Sequence, residues 1–308
     1  MPQHAQSRLA VGITIYQPDL ELLKQLLSKV RLMAPTILLH IDGPVGTAIT
    51  EEGLAVLQGE AAAGSLSITQ SQVNEGIAVA LNRLAAEASK RGCRSILYFD
   101  QDSDPATDLA DRLTETLASL KARDRRPAVV GPRPVAREAA SKPPHYRTRG
   151  KRDPVTGCQP VDYVITSGSL FELEIFRTLG LFREEYRIDA VDTEWCFRAW
   201  SRGASVWMAP NALMPHRIGH GLVRFGPLAF PRQSEARMET YICNQARMLR
   251  LSYVPLRWKL RTVLYVPLQG VIHAALVSKA HGSAARRFWR AALTGWRVPI
   301  ADWTILRS

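Results

Sequence analysis

The chain has 308 residues, a net charge of +12 and four cysteines that lie far apart in the sequence. Its apolar and charged fractions, 46% and 22%, are those of a globular protein and argue against global disorder. Because the cysteines form no CxxC pair, neither a zinc knuckle nor a disulfide framework is expected, and a reducing compartment is favoured. The N-terminal residues show no basic-then-apolar signal segment, and no stretch reaches the ~18 apolar residues of a spanning helix. We therefore expect a cytoplasmic location.

The positive charge is concentrated in two segments. Residues 247–308 contain 11 Lys/Arg against one acid, a net charge of +10, and residues 123–152 contain 10 basic and two acidic residues. Nucleic-acid binding requires such cations on one face with stacking aromatics or a known module, and no such module is visible. Basic residues beside apolar ones are typical of proteins that bind anionic lipid headgroups. The sequence thus predicts an anionic membrane surface as a partner and no nucleic acid.

Short apolar segments alternate with helical patterns through the first 100 residues. Alternation of this length predicts an α/β fold with a mostly parallel sheet, flanked by helices and joined by right-handed crossovers. Strands are predicted over 9–16, 35–42, 65–71 and 95–100, and helices over 19–33 and 74–92, the second with Asn74 as its N-cap.

Three further segments follow the basic loop at 123–152. Residues 161–180 are predicted to form a strand, a Ser-Gly-Ser turn and a helix, and residues 205–210 a last strand. Between them, 190–203 is predicted as a helix that Asp192 and Glu194 open. The helix dipole favours acids in a first turn, so their position alone has a structural explanation.

The stretch SILYFDQDSDP (95–105) runs from an apolar strand into three carboxylates. Ligands of parallel sheets bind outside the carboxyl ends of the strands, where these acids lie. Asp100 and Asp102, one residue apart, point the same way and form a hard oxygen site for Mg²⁺ or Mn²⁺ that keeps positions open for phosphate oxygens. A solvated turn closed by Pro105 is the alternative. No GxGxxG follows the first strand and no GxxxxGK[ST] occurs, which weakens the dinucleotide and P-loop interpretations.

Seven motifs, in order along residues 9–245, resemble those of inverting family 2 glycosyltransferases of the GT-A fold, in the rhamnosyltransferase-like group. The motifs are TIYQP, the Asp42-Gly43 strand end, NEGIAVALN, YFDQDSDP, ITSGSLF, VDTEWCFR and HRIGHG. The resemblance implies a GT-A catalytic domain over 1–245 with a basic amphipathic helical tail over 246–308. The domain divides into a nucleotide half, about 1–122, the basic loop at 123–152, and an acceptor half, about 153–245.

The resemblance also implies a site for a nucleotide-diphosphate sugar donor. The expected donor-binding residues are Thr14, Tyr16, Asp42, Asn74, Gly76, Asn82, Asp100, Ser167 and Gly168. Asp102 is expected to bind Mg²⁺ or Mn²⁺. His216, beyond the last strand, is a second candidate ligand, and a pocket wall or a diphosphate contact are its alternatives. Asp104 falls outside the motif and is interpreted as a turn residue.

The resemblance places the catalytic base at Asp192, six residues before Arg198. A more usual version of the motif has Glu just before that Asp, whereas here Val191 stands there, as in the rhamnosyltransferase-like members. Glu194 takes the second acidic position, and Trp195 and Arg198 are candidates for acceptor binding or support. A carboxylate on the side of the sugar opposite the diphosphate accepts the proton of the acceptor hydroxyl, and a single direct displacement inverts the anomeric centre.

The predicted function is therefore metal-dependent inverting transfer of a sugar, L-rhamnose from dTDP-L-rhamnose, to a hydroxyl of a bacterial cell-surface glycan or lipid-linked acceptor. A glycosyltransferase of the same fold that uses another nucleotide sugar is one alternative. A non-catalytic domain with a basic tail is a second. A phosphohydrolase with Asp100 as nucleophile is a third, although no following Thr/Ser and Lys constellation is visible for it.

The tail places apolar residues among basic ones over 257–299. Its longest charge-free run, 262–278, has 17 residues and is interrupted by Pro267, Gln269 and His273, which suits a helix in the membrane interface better than a spanning one. Arg286, Arg287 and Arg290, beside Phe288 and Trp289, resemble an interfacial anchor. The sequence therefore predicts a peripheral protein of the inner face of the plasma membrane, and helices that simply pack on the catalytic domain are the alternative.

Overall fold

The computed structural model describes residues 8–62, 64, 66–123, 125–136, 143, 145–216, 222–225, 228–278 and 281–300. The strands are β1 (Leu9–Ile15), β2 (Thr36–Ile41), β3 (Leu66–Gln70), β4 (Ser95–Asp100), β5 (Pro127–Ala136), β6 (Gln159–Pro160), β7 (Leu170–Glu172), β8 (Ser205–His216), β9 (Leu222–Phe225) and β10 (Leu228–Pro231). The helices are α1 (Leu20–Val30), α2 (Glu51–Ala62), α3 (Ile77–Lys90), α4 (Leu109–Lys121), α5 (Leu173–Leu179), α6 (Val191–Ser201), α7 (Glu235–Arg250), α8 (Leu256–Leu276) and α9 (His281–Arg297).

One eight-stranded sheet, in the order β3-β2-β1-β4-β7-β5-β8-β6, organises the chain. Neighbours β3, β2, β1 and β4 are parallel, as are β5 and β8. Strand β7 joins these two groups by pairing antiparallel with both β4 and β5, and β6 is antiparallel at the edge. The predicted α/β class with a mostly parallel sheet is confirmed. Since β1, β2 and β4 are parallel, their carboxyl ends meet at one edge.

The two faces of the sheet bury alternate residues of each strand. Val11 and Phe99 belong to a core on one face, with leucines of α1 and α4, whereas Ala10 and Tyr98 belong to a core on the other, with residues of α3, α5 and α6. Both faces are covered, which explains why these strands are nearly continuous apolar runs. The helices hold the strand ends in fixed register at the polar edge.

Helix α3 begins later than the sequence predicts. Asn74 is not its N-cap, because the helix starts at Ile77 and Gly76 takes the cap position without a side-chain cap hydrogen bond. Gly76 has a φ of 96°, and a Cβ there would lie 2.8 Å from Cα of Arg187. A glycine is therefore required where this turn meets the segment before α6, and Asn74 is left outside the helix.

Two other local predictions are wrong. The strand expected before the Ser-Gly-Ser turn does not form. Val161 makes only an isolated bridge with Thr148, and the strand of this region, β7, follows the turn. The segment 123–152 is not a loop throughout, because Pro127–Ala136 forms β5 inside the sheet. The apolar residues PAVV at its start are buried in the sheet, and their burial favours a strand although arginines flank them. Helices α2 and α4 were not predicted.

The last three helices share a small apolar core. Met238 and Ile242 of α7 pack with Val266 of α8 and Phe288 of α9. Helices α7 and α9 cross closely at Gly295, where a Cβ would lie 2.1 Å from the carbonyl oxygen of Cys243. The predicted domain boundary at 245/246 falls inside α7, so the tail is continuous with the catalytic domain there. In the described part of the chain, no helix is long and apolar enough to cross a bilayer.

Candidate active site

A cavity of about 580 Å³ opens at the edge where β1, β2 and β4 end. A volume of this size suits a small ligand such as a nucleotide. Most of the predicted donor-binding residues line it, together with the predicted metal ligand. These residues are Thr14, Tyr16, Asp42, Asn74, Gly76, Asp100 and Asp102.

The ends of β1 and β4 are tied together on the cavity floor. In the parallel register Thr14 lies opposite Asp100. Beyond this pair, the side-chain amide of Gln101 accepts a hydrogen bond from the backbone N–H of Tyr16 at 2.8 Å and donates one to its carbonyl oxygen at 2.9 Å. Gln101 thereby fixes the backbone from which the half-exposed Tyr16 side chain extends. The sequence analysis did not assign Gln101 a role.

Asp42 acts mainly through the backbone of the next loop. Its Oδ1 accepts from the N–H of Glu75 at 2.7 Å and its Oδ2 accepts from the N–H of Gly76 at 2.9 Å. Across the loop, Arg187 donates to the carbonyl oxygen of Asn74 at 2.8 Å and to its side-chain oxygen at 3.1 Å. A buried carboxylate and an arginine thus hold the turn that forms one wall of the cavity.

The carboxyl group of Asp100 has a raised pKa. Burial, then the charge of Asp102, raises its pKa to about 6, while a hydrogen bond from Ser167 opposes the rise. The hydroxyl of Ser167 also accepts from the backbone N–H of Asp100 at 3.2 Å. Two neighbouring carboxylates in a half-buried site raise each other's energy, and a divalent cation relieves that repulsion. The donor set of Asp100 and Asp102 therefore fits a hard cation with open positions.

Asp104, the third acid of the stretch, faces a different partner. Its carboxylate forms an ion pair with Lys29 of α1. Ser167 supports Asp100, and Gly168 closes the same turn by donating its N–H to the carbonyl oxygen of Tyr98 at 2.7 Å. Neither Ser167 nor Gly168 is among the cavity-lining residues, so their contribution is to the shape of the strand end.

Asp192 lies in the first turn of α6 and is not among the residues that line the cavity. Burial raises its pKa to about 6, and hydrogen bonds from the backbone N–H of Thr193 at 2.7 Å and from the Thr193 hydroxyl at 3.2 Å oppose the rise. Burial is the main cause of the raised pKa values of Asp100 and Tyr163, and the charge of Asp192 adds to both shifts. A carboxyl group with a pKa near neutrality is well suited to accept a proton from a hydroxyl.

The segment that leads into Asp192 is strained. Arg187, Asp189 and Ala190 have φ values of 53°, 62° and 63°, left-handed conformations that non-glycine residues rarely adopt. The side-chain amide of the buried Asn244 holds this segment by donating to backbone carbonyls of residues 186, 188 and 189 at 2.7–3.1 Å. Arg237 pairs with the Asp189 carboxylate at 2.9 Å. Such strain persists only where the surroundings enforce it, as is common near active sites.

Four predicted site residues are used inside the fold and do not line the cavity. Asn82 is buried and exchanges hydrogen bonds with the backbone of Phe182, at 2.9 and 3.0 Å. Glu194 and Arg198 form a buried ion pair at 3.1 Å, and the indole N–H of Trp195 donates to the carbonyl oxygen of Gly180. These residues position α6. The side chain of His216 lies outside the described part of the chain, as does His220.

Five polar lining residues were missed by the sequence analysis. They are Gln101, Arg187, Ser234, Arg237 and Thr240. The two arginines bring positive charge to a cavity whose predicted residues include three carboxylates. Both lie more than 80 residues after Asp102 in the chain, and neither belongs to a recognisable motif.

No family model matches the sequence. The chain is 30% identical over 211 residues to the dTDP-rhamnosyl transferase RfbF of Shigella flexneri, an alignment that covers 66% of this chain and 68% of that protein. Its fold is similar to that of S. aureus TarS 1-349, with a TM-score of 0.58 at 11% identity over 94% of this chain and 81% of that one.

A second structural relative is GalNAc-T7, crystallised with UDP, GalNAc and Mn²⁺. It gives a TM-score of 0.55 at 15% identity and covers 82% of this chain and 54% of that one. TarS 1-349 has also been crystallised with UDP-GlcNAc. The structural similarities concern the fold, and the sequence similarity to the rhamnosyl transferase carries the family assignment. The chain is a glycosyltransferase, and it belongs to the family 2 glycosyltransferases of the GT-A fold, in the rhamnosyltransferase-like group.

Proposed function

We propose that the protein is a metal-dependent inverting glycosyltransferase that moves L-rhamnose from dTDP-L-rhamnose to a hydroxyl group of a bacterial cell-surface glycan or lipid-linked acceptor. One observation carries the proposal. The carboxyl group of Asp192, whose pKa is raised by burial to about 6, acts electrostatically on Asp100 in a cavity that Asp100 and Asp102 line. The choice of donor is supported by the name of the 30% identical relative, a dTDP-rhamnosyl transferase.

The transfer is a single displacement. The acceptor oxygen forms a bond to the anomeric carbon, the bond from that carbon to the diphosphate breaks, and the nucleoside diphosphate leaves with the electron pair. Asp192 takes the proton of the attacking hydroxyl, a contribution of roughly 10²–10⁴-fold for a positioned base. Because attack and departure occur on opposite sides, the anomeric configuration inverts.

Different side chains of the cavity bind different parts of the donor. Asp42 and Gln101 hold the two backbone segments that enclose the nucleoside, beside Thr14 and Tyr16. Arg187 and Arg237 supply positive charge for the diphosphate, and guanidinium groups suit phosphate oxygens because they donate two parallel hydrogen bonds.

Asp102, together with Asp100, would hold Mg²⁺ or Mn²⁺ in this cavity. When bound, such an ion neutralises the negative charge that develops on the departing diphosphate. The pKa of Asp100, raised by burial and then by the charge of Asp102, supports this assignment, because a bound cation would stabilise the charged form of Asp100. The relative GalNAc-T7 was crystallised with Mn²⁺.

We further propose that the protein binds the cytoplasmic face of the plasma membrane through α8 and α9. Helix α8 exposes apolar side chains at helical spacing, an arrangement that leaves one face without a packing partner. The residues of this apolar stripe are Leu256, Leu260, Val263, Leu264 and Val271, each more than half exposed. Trp289 of α9 is 66% exposed beside Arg286 and Arg290. The net charge of +10 over residues 247–308 complements anionic lipid headgroups.

A panel of nucleotide sugars tests the activity and the donor together. Thermal unfolding is measured with dTDP-L-rhamnose, UDP-GlcNAc, UDP-glucose or GDP-mannose, each with Mg²⁺ or Mn²⁺, since a bound ligand stabilises the folded state by mass action. The largest stabilisation is expected for dTDP-L-rhamnose with metal. A larger rise in unfolding temperature with a UDP sugar would identify that sugar nucleotide as the donor instead of dTDP-L-rhamnose. No rise with any of the donors would argue against glycosyl transfer.

A further inference from the structure

A second cavity, of about 640 Å³, shares helix α7 with the donor cavity. It is formed by Pro143, residues of the segment 145–163, Gln233 and residues of α7 and α8. Consecutive residues of α7 face the two spaces, because Thr240 lines the donor cavity and Tyr241 lines the second one. The charge of Asp192 acts on Tyr163, another lining residue. The charge of Asp192 thus acts on a lining residue of each cavity, Asp100 in the first and Tyr163 in the second.

Aromatic rings form much of its wall. Tyr163, Tyr241, Trp258 and Tyr265 all line the cavity. Tyr163 and Trp258 meet edge to face, with ring centroids 5.8 Å apart, which fixes their orientation. Flat aromatic faces pack against the C–H face of a sugar ring, and their polar tips remain available for its hydroxyls.

Hydrogen-bond acceptors and a hydrogen-bond donor are both left unpaired in this wall. Among the described residues, the side-chain oxygens of Gln233 and Gln269 and the indole N–H of Trp258 are buried without a hydrogen-bond partner. Gln269 is only 4% exposed. Buried polar groups are normally satisfied, and leaving one unpaired is costly. A ligand with hydroxyl groups satisfies both kinds at once, because a hydroxyl donates and accepts.

The cavity is also positively charged. Arg147 and Arg261 line it, and neither has a carboxylate partner among the residues that the structure describes. The guanidinium of Arg261 lies 5.4 Å from the Trp258 ring and 5.0 Å from the Tyr265 ring. The one carboxylate of the lining, Asp162, is already paired with Arg149 at 2.6 Å and with Arg257. Two arginines are thus available for an anionic group.

We propose that this second cavity binds the acceptor, and that the acceptor is a saccharide that carries an oxyanion, either a phosphate or a carboxylate, close to the hydroxyl that receives the sugar. The assignment rests on the proposed function for its place in the reaction. Aromatic faces and unpaired amide groups bind the sugar ring, and Arg147 and Arg261 bind the oxyanion. Inversion requires the acceptor hydroxyl to attack the anomeric carbon from the side opposite the diphosphate, and the contact of α7 with both cavities places the acceptor beside the donor.

Matched pairs of probes test the charge requirement with the full-length protein. Isothermal titration calorimetry, with dTDP and Mg²⁺ saturating the donor cavity, compares N-acetylglucosamine with its 1-phosphate, and glucose with glucuronic acid. We expect one anionic probe to bind about tenfold tighter than its neutral partner, the effect of one charged hydrogen bond. Tighter binding of the phosphate identifies a sugar phosphate acceptor, and tighter binding of glucuronic acid identifies an acidic glycan. Equal binding of the members of both pairs would overturn the proposal.

Variants locate the binding. Arg147→Gln and Arg261→Gln, both on exposed side chains, are expected to remove the preference for the anionic probe and to leave dTDP binding unchanged. Arg286→Gln on α9 is the control and keeps the preference. An anionic preference that survives in both cavity variants would place the anion elsewhere and overturn the assignment. Absence of dTDP binding by the unmodified protein would instead contradict the proposed function, so the two failures are distinct.

Discussion

The side-chain amide of Gln101 forms two hydrogen bonds with the backbone of Tyr16, one to each of its peptide groups, at 2.8 and 2.9 Å. Residues 85 apart in the chain are thereby joined at the floor of the donor cavity. The pair resembles one rung of a sheet ladder, continued beyond the ends of β1 and β4 by a side chain. Gln101 therefore fixes the position of Tyr16 in the cavity. The sequence does not indicate this role, because the aspartates on either side, Asp100 and Asp102, match the motif and Gln101 does not.

This relationship makes the first prediction specific to donor binding. Gln101→Ala removes both hydrogen bonds, and we expect the KM for the donor to rise about tenfold, since hydrogen bonds of this kind contribute about 1 kcal/mol each. The kcat should change less, because Asp192 is untouched. Gln72→Ala, on an exposed side chain outside the cavity, is the control. A fall in kcat at constant KM would contradict the positioning role.

Asp192→Asn tests the base. The amide keeps the shape of the side chain but cannot accept the proton, so we expect transfer to fall by roughly 10²–10⁴-fold. Donor binding, measured by calorimetry, should remain close to that of the unmodified protein. The same variant should unfold at an equal or higher temperature, because a buried carboxylate with a raised pKa destabilises the folded state when it is charged. Asp108→Asn, on an exposed side chain, is the control, and a variant that keeps a tenth of the rate would exclude Asp192 as the base.

The pH dependence of kcat follows from the same group. Burial raises the pKa of Asp192 to about 6, and only the deprotonated form accepts a proton. The rate is therefore expected to be constant above about pH 7 and to fall about tenfold for each pH unit below 6. The measurement is kcat at saturating donor and acceptor from pH 5 to 8. A rate that stays constant down to pH 5 would show that the base has an ordinary aspartate pKa.

Asp102→Ala tests the metal site. The variant is expected to lose activity and to lose the effect of Mg²⁺ or Mn²⁺ on dTDP binding, because the donor set then lacks its main carboxylate. Asp100→Ala should chiefly weaken nucleotide binding. Asp104→Ala removes an acid of the same stretch that pairs with Lys29, and should change neither property. If EDTA leaves the turnover of the unmodified protein unchanged, the metal assignment is wrong.

The sequence predicts most of the donor cavity because the signals for it are local. Strands buried on both faces are recognisable as apolar runs, and parallel strands bring their carboxyl ends to one edge. The arginines at 187 and 237 are different. They reach the cavity through a strained turn and a distant helix, and no local pattern indicates either approach.

Helical geometry predicts which side chains of α6 face the core, although the resemblance to the family motif suggested site roles for two of them. At 100° per residue, Glu194 lies about 200° and Arg198 about 240° around the helix from Asp192. If Asp192 faces the substrates, those two side chains face the core, where they pair with each other at 3.1 Å. Helical geometry therefore argues against an acceptor-binding role for Glu194 and Arg198.

The last prediction concerns the apolar stripe of α8. Truncation near residue 250 is a poor test of it, because Trp258 and Val266 pack against the rest of the protein and their loss would expose Met238 and Ile242. Point variants of the full chain avoid this difficulty. We expect the protein to sediment with phosphatidylglycerol vesicles at low salt and to be released by high salt, since exposed charges are screened.

Leu260→Glu and Leu264→Glu place an acid on the exposed stripe, without a change in the buried face of α8. Each is expected to lower the fraction bound to vesicles several-fold, because the inserted carboxylate resists transfer into the interface and opposes the anionic lipid. Leu32→Glu changes a leucine that is 70% exposed in the turn after α1, and should bind as the unmodified protein does. If the unmodified protein stays in the supernatant while light scattering shows a dimer that Leu264→Glu dissociates, the stripe binds a second copy of the chain rather than a membrane.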